Sequence, residues 1–289
     1  MKVLPFTITK TKRDALIFQE DRGRSFYAML HQHEEIQISY IKEGEGTLIV
    51  GDTVNYFSEG DIVVLGEQIP HVFKSKSNQK NISQMFTIFF NRSSFGKNFF
   101  EIEELSSLDS FFRRSENGFR VNSNLNEIRS ILEELKLSSK IDRFIRFFQL
   151  LSLINSSEYS TMSTFVFPKK YNDNEGKRMR VVFEYSINNL HEEIRLDTIA
   201  AKAAMTKNAF CKYFKKRTNK TYITFLNEIR IEEACKSLLS NEDISIAAVA
   251  ESCGFKNMAN FNRKFKQVKG MTPSDFKREK GKRYYEDSR

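Results

Sequence analysis

Between residues 25 and 90, apolar and polar positions alternate in short runs, FYAMLHQ, EIQISYIKEG, GTLIVG, TVNYFSEGDIVVLG, HVFKS and ISQMFTIFF, broken by Gly and Asn. Period-two alternation cut by turn residues predicts β-strands, and many short strands in succession predict a barrel or sandwich. From Phe99 the period changes. Apolar residues at 125, 128, 131, 132 and 135, then at 141, 144, 145, 148, 151 and 154, form the stripes of two amphipathic helices. Leu125, Ile128, Leu132 and Leu135 could pack on a partner chain or cover the barrel within one subunit. Residues 156–178 are rich in Ser, Thr, Asn, Lys and Asp without a sustained period and read as a linker. Helical spacing then returns. Met179, Val182, Phe183, Ile187 and Leu190 mark one helix, and Leu196 opens a second with Asp197 in its first turn. Phe225, Ile229, Ala234 and Leu238 belong to one uninterrupted helix from Tyr222 to Leu239.

This last part of the pattern is duplicated. Ile199-Ala200 matches Val249-Ala250, and Ala204-Met205 matches Gly254-Phe255, at an offset of 50. After a one-residue insertion, Phe210, Phe214-Lys215, Asn219, Thr221 and Phe225 match Phe261, Phe265-Lys266, Gly270, Thr272 and Phe276 at an offset of 51. Such a repeat means two structural units of one type, here two helix-turn-helix units with the tight turns at Ala204 and Gly254. In the second unit Phe261, Phe265 and Val268 form an inward stripe, with Met258, Asn262, Arg263 and Lys266 on the opposite side. Gly270 closes that helix and Pro273 starts another. In the first unit Thr206 caps the helix and Phe210 and Phe214 face inward, which leaves Lys207, Asn208, Cys211, Lys212 and Lys215 outward.

Charge changes the picture once it is divided. The formal net charge is +9, but residues 177–289 carry 24 Lys and Arg against 14 Asp and Glu, whereas residues 1–176 carry 22 against 23. A near-neutral half joined to a strongly cationic one suggests that only the second meets a polyanion. Cys211, Cys235 and Cys253 are odd in number and lack metal-ligand spacing, so they read as reduced thiols. No apolar run approaches the length that spans a bilayer and MKVLPFTITK lacks the apolar core of a signal peptide, so no membrane partner and a cytoplasmic location are expected.

The run Gly254-Phe255, Phe261, Phe265-Lys266, Gly270, Thr272-Pro273 and Phe276 resembles the signature of the AraC/XylS family of bacterial transcription regulators. One departure is Lys277, where the family often has Arg directly after the aromatic. The resemblance implies an α+β chain: an N-terminal cupin-like β-barrel with a helical dimerisation or connector segment, and a C-terminal all-α domain with two helix-turn-helix units. The divisions expected are a sensing barrel at 1–98, helices at 99–158, a linker at 159–176 and the DNA-binding domain at 177–289. By match to the family motif, Lys207, Asn208, Cys211 and Lys212 of the first unit and Met258, Asn262 and Arg263 of the second approach base edges. Asn suits adenine, Lys and Arg suit guanine, and Cys suits a thymine methyl. Thr206, Lys215, Lys216, Arg217, Asn257, Lys266 and Lys269 are expected on the phosphate backbone.

Within the strand region His31, His33, Gln37, Gly44, Gly60-Asp61 and Pro70-His71 resemble the two motifs of cupin barrels. His31, His33 and His71 fall where metal-binding cupins place imidazoles, with Gln37 in place of the usual carboxylate. Yet many regulators of the family keep this pattern without a metal role, so no cofactor is expected, and the histidines read first as the polar lip of an effector pocket. Phe26, Tyr27, Tyr40, Phe57 and Phe73 could line that pocket or simply fill the barrel. The function expected is a ligand-responsive, sequence-specific transcription regulator, most often an activator in this family, that is not an enzyme. Its partners are promoter DNA, a small-molecule effector, RNA polymerase and a second copy of the chain. The competitors are a cupin-type metal-dependent enzyme with a helical appendage and a nonspecific architectural DNA binder.

Overall fold

The computed structural model describes residues 14–27, 29–75, 82–164, 173–240 and 243–286, and the chain divides into two units between Lys177 and Arg178. The described residues of the first unit form β1 (Ile17–Gly23), β2 (Ile36–Glu43), β3 (Gly46–Val50), β4 (Thr53–Phe57), β5 (Ile62–Leu65), β6 (His71–Ser75), β7 (Ser83–Phe90), β8 (Phe119–Val121) and β9 (Tyr159–Thr161), with helices α1 (Asp109–Ser115), α2 (Leu125–Glu134) and α3 (Lys140–Ser156). The strands make two sheets, a six-stranded one in the order β1-β7-β2-β5-β8-β9 and a three-stranded one in the order β4-β3-β6.

Alternation along β2 explains the layering. Ile36, Ile38 and Tyr40 join a core with Phe111, Phe112, Ile128, Leu132, Leu135, Phe147 and Ile154 of the helices. Ile41 points the other way, into a second core with Leu48, Val50, Phe57 and Phe73 of the small sheet. The large sheet is thus sandwiched between helices and the small sheet, and all eight residues of β7 are buried, as a strand covered on both faces must be.

Three expectations are corrected here. Ile128, Leu132 and Leu135, considered for a partner chain, are fully buried in their own unit's core, because the large sheet needs its second face covered. The FYAMLHQ run forms no named strand among its described residues; it makes isolated bridges at His31, which pairs with His71, and at Gln32. The strand there is β1, whose Glu20, Asp21 and Arg22 break the apolar alternation because it lies at a sheet edge, where charge is tolerated. The expected linker opens with structure. Tyr159, Ser160 and Thr161 pair with β8, and the buried Asp52 carboxylate accepts from Ser163 Oγ at 2.7 Å, the Thr164 amide at 3.1 Å and Thr164 Oγ1 at 2.6 Å. Residues 165–172 of that stretch lie outside the described residues.

The cationic half is helical: α4 (Asp173–Asn188), α5 (Leu196–Lys202), α6 (Lys207–Thr218), α7 (Tyr222–Ser240), α8 (Ile246–Ser252), α9 (Met258–Lys269) and α10 (Pro273–Glu286). The duplication holds at the level of single hydrogen bonds. In the first turn Ala204 N–H donates to Ala201 O at 3.0 Å and Met205 N–H to Ala200 O at 2.9 Å; in the second Gly254 N–H donates to Glu251 O at 2.9 Å and Phe255 N–H to Ala250 O at 3.0 Å. Thr206 Oγ1 caps α6 by accepting from Ala209 N–H at 3.3 Å, and Asn257 Oδ1 caps α9 from Asn260 N–H at 3.0 Å. Asn219 and Gly270 end the two helices in the left-handed region, at φ of 55° and 75°. Helix α7 serves both units: its N-terminal Phe225 packs on Phe183 at 4.5 Å and Phe214 at 5.4 Å between ring centroids, and its C-terminal Ile231, Ala234, Cys235 and Leu238 lie in the core of α8, α9 and α10. No helix among the described residues is long and apolar enough to cross a membrane.

The two turn positions separate strain from space. Ala204 holds φ of 53°, while Gly254 holds φ of 77° and a Cβ there would sit 2.7 Å from Leu190 O and 2.9 Å from Arg230 Nη2. Gly254→Ala is expected to lower stability by about 2 kcal/mol or more, and Ala204→Gly to change it by less than ~1 kcal/mol, as read from denaturant midpoints.

Candidate nucleic-acid interface and ligand site

Burial of Phe210 and Phe214 on one side of α6, and of Phe261 and Phe265 on one side of α9, leaves each helix a polar outer face. All seven residues expected at base edges, Lys207, Asn208, Cys211, Lys212, Met258, Asn262 and Arg263, are exposed. Neither helix contains an acid: α6 reads KNAFCKYFKKRT and α9 reads MANFNRKFKQVK. The outer faces are therefore cationic on balance, which suits phosphate, although Lys207 of α6 lies 3.4 Å from Asp197 Oδ2 of α5. Arg263 Nη2 donates to Asn260 Oδ1 one turn away at 2.9 Å.

The residues expected on phosphate behave differently from one another. Lys215, Lys216 and Lys266 are exposed and Arg217 is half-buried. Thr206 and Asn257 are engaged as the helix caps described above, so their first task is to satisfy backbone N–H groups. Lys269 leaves the expected set: its Nζ lies 2.6 Å from Glu232 Oε1 of α7, both half-buried, and this ion pair anchors the end of α9 to α7. Of the three thiols only Cys211 is exposed, and burial pushes the Cys253 thiol up to about 11.

One residue absent from the expected set joins the two helix-turn-helix units within the cationic half. Arg230, on the buried side of α7, donates from Nε to Leu190 O at 2.8 Å and from Nη2 to Glu192 O at 2.6 Å, at the end of the first unit's leading helix. Its guanidinium also lies 5.9 Å from the Phe255 ring, in the second unit's turn. Burial lowers its pKa, countered by nearby Tyr222 and Cys253. Around it His191 Nδ1 donates to Ser252 O at 2.6 Å and Lys256 pairs with Glu193 at 2.6 Å. The available signal was an arginine inside the apolar pattern Phe225, Ile229, Ala234, where a charge needs dedicated partners.

In the first unit, His31 and His33 share a face of extended chain because they are two residues apart. The His31 and His71 backbones exchange two hydrogen bonds, at 3.1 and 2.8 Å, and this bridge sets the third imidazole beside them. Ring centroids are 4.4 Å apart for His31 and His71, 4.9 Å for His33 and His71, and 6.0 Å for His31 and His33. A buried polar chain runs inward from them: His33 Nε2 lies 3.0 Å from Gln37 Oε1, Gln37 Nε2 donates to Ser39 Oγ at 2.8 Å, and Ser39 Oγ meets Thr87 Oγ1 at 3.0 Å. Tyr27 edges onto His31 at 4.9 Å on the exposed side. Phe26, Phe57 and Phe73 pack on one another in tilted and edge-on contacts with ring centroids 5.5–6.3 Å apart, so they fill this core. Tyr40 departs from the expected pocket: alternation on β2 turns it to the helical side, against Phe86 at 6.2 Å. A cleft of about 190 Å³ lies elsewhere, lined by Asp14, Leu16, Phe95, Lys140, Arg143 and Phe144.

Comparison with known proteins follows the same division. Residues 15–151 match the model of the AraC-like ligand binding domain, and residues 199–279 match a helix-turn-helix domain model. The Msm operon regulatory protein of Streptococcus mutans is 25% identical over 276 residues, covering 90% of this chain and 89% of that protein. The HTH-type transcriptional activator RhaS of Escherichia coli is 22% identical over 260 residues, covering 86% of each. An uncharacterised HTH-type regulator of Pseudoalteromonas carrageenovora is 37% identical over 94 residues, a match that spans 32% of this chain and 55% of that protein. Among solved structures, the DNA-binding domain of AdpA in complex with a target DNA is 27% identical, covers 33% of this chain and 86% of that one, and has a TM-score of 0.32.

Removing the Arg230 fork strands two carbonyls at a buried junction. Arg230→Ala is expected to cost about 3 kcal/mol in chemical denaturation, and Arg230→Lys to recover less than half of it, since an ammonium cannot span both acceptors in one plane.

Proposed function

Since the chain belongs to the AraC/XylS family of transcription regulators, we propose that it acts in the cytoplasm as a dimeric, effector-responsive activator that reads promoter DNA with α6 and α9. It is a helix-turn-helix DNA-binding regulator with a ligand-binding domain. The single observation that carries the reading is the pair of acid-free helices, exposed on one side and buried on the other, in two units with matching backbone hydrogen bonds. α7, 19 residues long, spans about 28 Å and keeps the two readers at a fixed separation, as successive turns of one groove require. Lys207, Asn208, Cys211 and Lys212 read one segment of the major groove and Met258, Asn262 and Arg263 the next. Lys215, Lys216, Arg217 and Lys266 hold the phosphates.

The two sheets of the first unit form a cupin-like barrel, a reading supported by the His31–His71 bridge between the chain entering β2 and the small sheet. An effector held near this bridge changes how the basic domain meets DNA, and the bound regulator engages RNA polymerase. The activator sense rests on the name of RhaS. A reading as a metal-dependent enzyme has weaker support, because the relatives matched along most of their length bear regulator names. Dimerisation is assigned to the exposed apolar residues Leu137, Ile141 and Ile145, 91%, 65% and 51% exposed, of which Leu137 lies in the turn before α3 and Ile141 and Ile145 stand one turn apart at its start.

Two measurements test this reading. In fluorescence anisotropy with fragments of the organism's own promoters, Arg263→Ala is expected to weaken the preferred fragment by about 10- to 100-fold and bulk DNA little. Lys266→Ala should weaken both alike and reduce the salt slope by about one. Absence of any preferred fragment would leave only a nonspecific binder. In sedimentation, Ile141→Glu with Ile145→Glu is expected to convert a dimer to a monomer whose thermal stability is unchanged within ~1 kcal/mol; a dimer that persists rejects the assigned face.

A further inference from the structure

We propose that Asp52 is a positioning residue for regulation. Through Ser163 and Thr164 it fixes the point from which the chain leaves the first unit, and through the turn between β3 and β4 it ties that point to the histidine lip. The inference deepens the proposed ligand-responsive reading and rests on it for the place of the ligand, not for the clamp itself. Asp52 is fully buried. Ser163 Oγ donates to Asp52 Oδ1 at 2.7 Å, the Thr164 amide to the same oxygen at 3.1 Å, and Thr164 Oγ1 to Oδ2 at 2.6 Å. Both carboxylate oxygens thus hold two consecutive residues, the last described before α4. The neighbouring Thr53 Oγ1 donates to Met162 O, and Met162 is buried in the core of the small sheet with Val50 and Phe73. Next to β8, Met162 N–H donates to Gly118 O and Ser163 N–H to Asn117 O, each at 2.9 Å, and Asn117 Nδ2 donates to Ser163 O at 3.1 Å. The departing chain is therefore gripped from two sides.

Stability alone does not call for this chemistry. A buried carboxylate loses its hydration and recovers it only through hydrogen bonds, so an apolar residue of similar volume stabilises such a place as well or better. What the carboxylate adds is a single geometry, because each donor that leaves it exposes an unsatisfied charge in the interior. The same turn meets the lip. Val50, at the end of β3, pairs with His71 at the start of β6, and Gly51 N–H donates to Pro70 O at 2.8 Å. His71 is bridged in turn to His31. From His31 to Thr164 the connection runs through paired backbone and one carboxylate. A ligand that shifts the His31–His71 bridge thereby shifts the turn and, with it, the departing chain.

The test uses the full chain with its histidines labelled with ¹³C at Cε1, which gives one signal each from His31, His33, His71 and His191. Asp52→Ala and Thr164→Val are each expected to move the His71 signal by more than a line width and to leave that of His191, in the other unit, in place. Amide exchange in peptides covering Met162 and Ser163, read by mass spectrometry, is expected to rise about 10-fold or more, with β2 and β7 unchanged. In anisotropy both variants should change affinity for the preferred promoter fragment by about 5-fold or more and leave that for bulk DNA unaltered. Asp52→Asn, whose Oδ1 still accepts and whose Nδ2 donates to Thr164 Oγ1, should recover most of each effect. Thr164 is exposed, so Thr164→Val is the second variant should Asp52→Ala fail to fold, which circular dichroism reports. Exchange that stays at the wild-type rate overturns the clamp, and exchange that rises while the His71 signal or the promoter affinity stays fixed overturns its regulatory role. A wild-type chain with no preferred fragment refutes the regulator reading instead, and the exchange and histidine signals still decide the clamp and its link to the lip.

Discussion

The guanidinium of Arg230 is the interaction on which the reading half depends. It ties the carbonyls of Leu190 and Glu192 to the central helix and lies against Phe255. A buried fork of fixed planar geometry admits few arrangements of its acceptors, so it sets the angle between two helix pairs that the length of α7 alone would leave open. Gly254 follows from it: the turn approaches so closely that Arg230 Nη2 would stand 2.9 Å from a side-chain carbon there. The equivalent Ala204 tolerates its Cβ despite the same positive φ. The repeat has therefore preserved a backbone while its two copies diverged in what surrounds them.

That divergence extends to chemistry. The outer face of α6 is built mostly on lysines, which attract anions without geometric preference, whereas that of α9 carries Arg263, whose Nη2 donates to Asn260 Oδ1. Point charges favour affinity and a planar fork favours discrimination. Lys269 shows that a cationic residue in this domain also serves as a strut, paired at 2.6 Å with Glu232 of α7.

In the other unit the governing constraint is a sheet with no free face. Once β2, β5 and β7 are covered by helices on one side and the small sheet on the other, polar side chains inside must satisfy one another. Gln37, Ser39 and Thr87 do so in a chain that ends at the histidines. The His31–His71 bridge converts two distant sequence motifs into one cluster, where polar chemistry is concentrated beside an otherwise apolar core.

Much of this was legible in the chain itself. The duplicated apolar spacing, the caps at Thr206 and Asn257, the closures at Asn219 and Gly270 and the outward faces of α6 and α9 follow from local rules of helix periodicity and hydrogen-bond satisfaction, which act within a few residues. What acts across the fold was not legible. Nothing local says that Arg230 meets Leu190, that Lys269 is taken by Glu232, that Tyr40 faces helices, or that β1, β8 and β9 extend the large sheet despite charge or brevity. The apolar stripe of α2 could serve a neighbouring chain or its own sheet, and only the second, uncovered face of that sheet decided between them. Periodicity fixes which side of an element is apolar; the partner on that side is chosen by long-range packing, to which local spacing is blind.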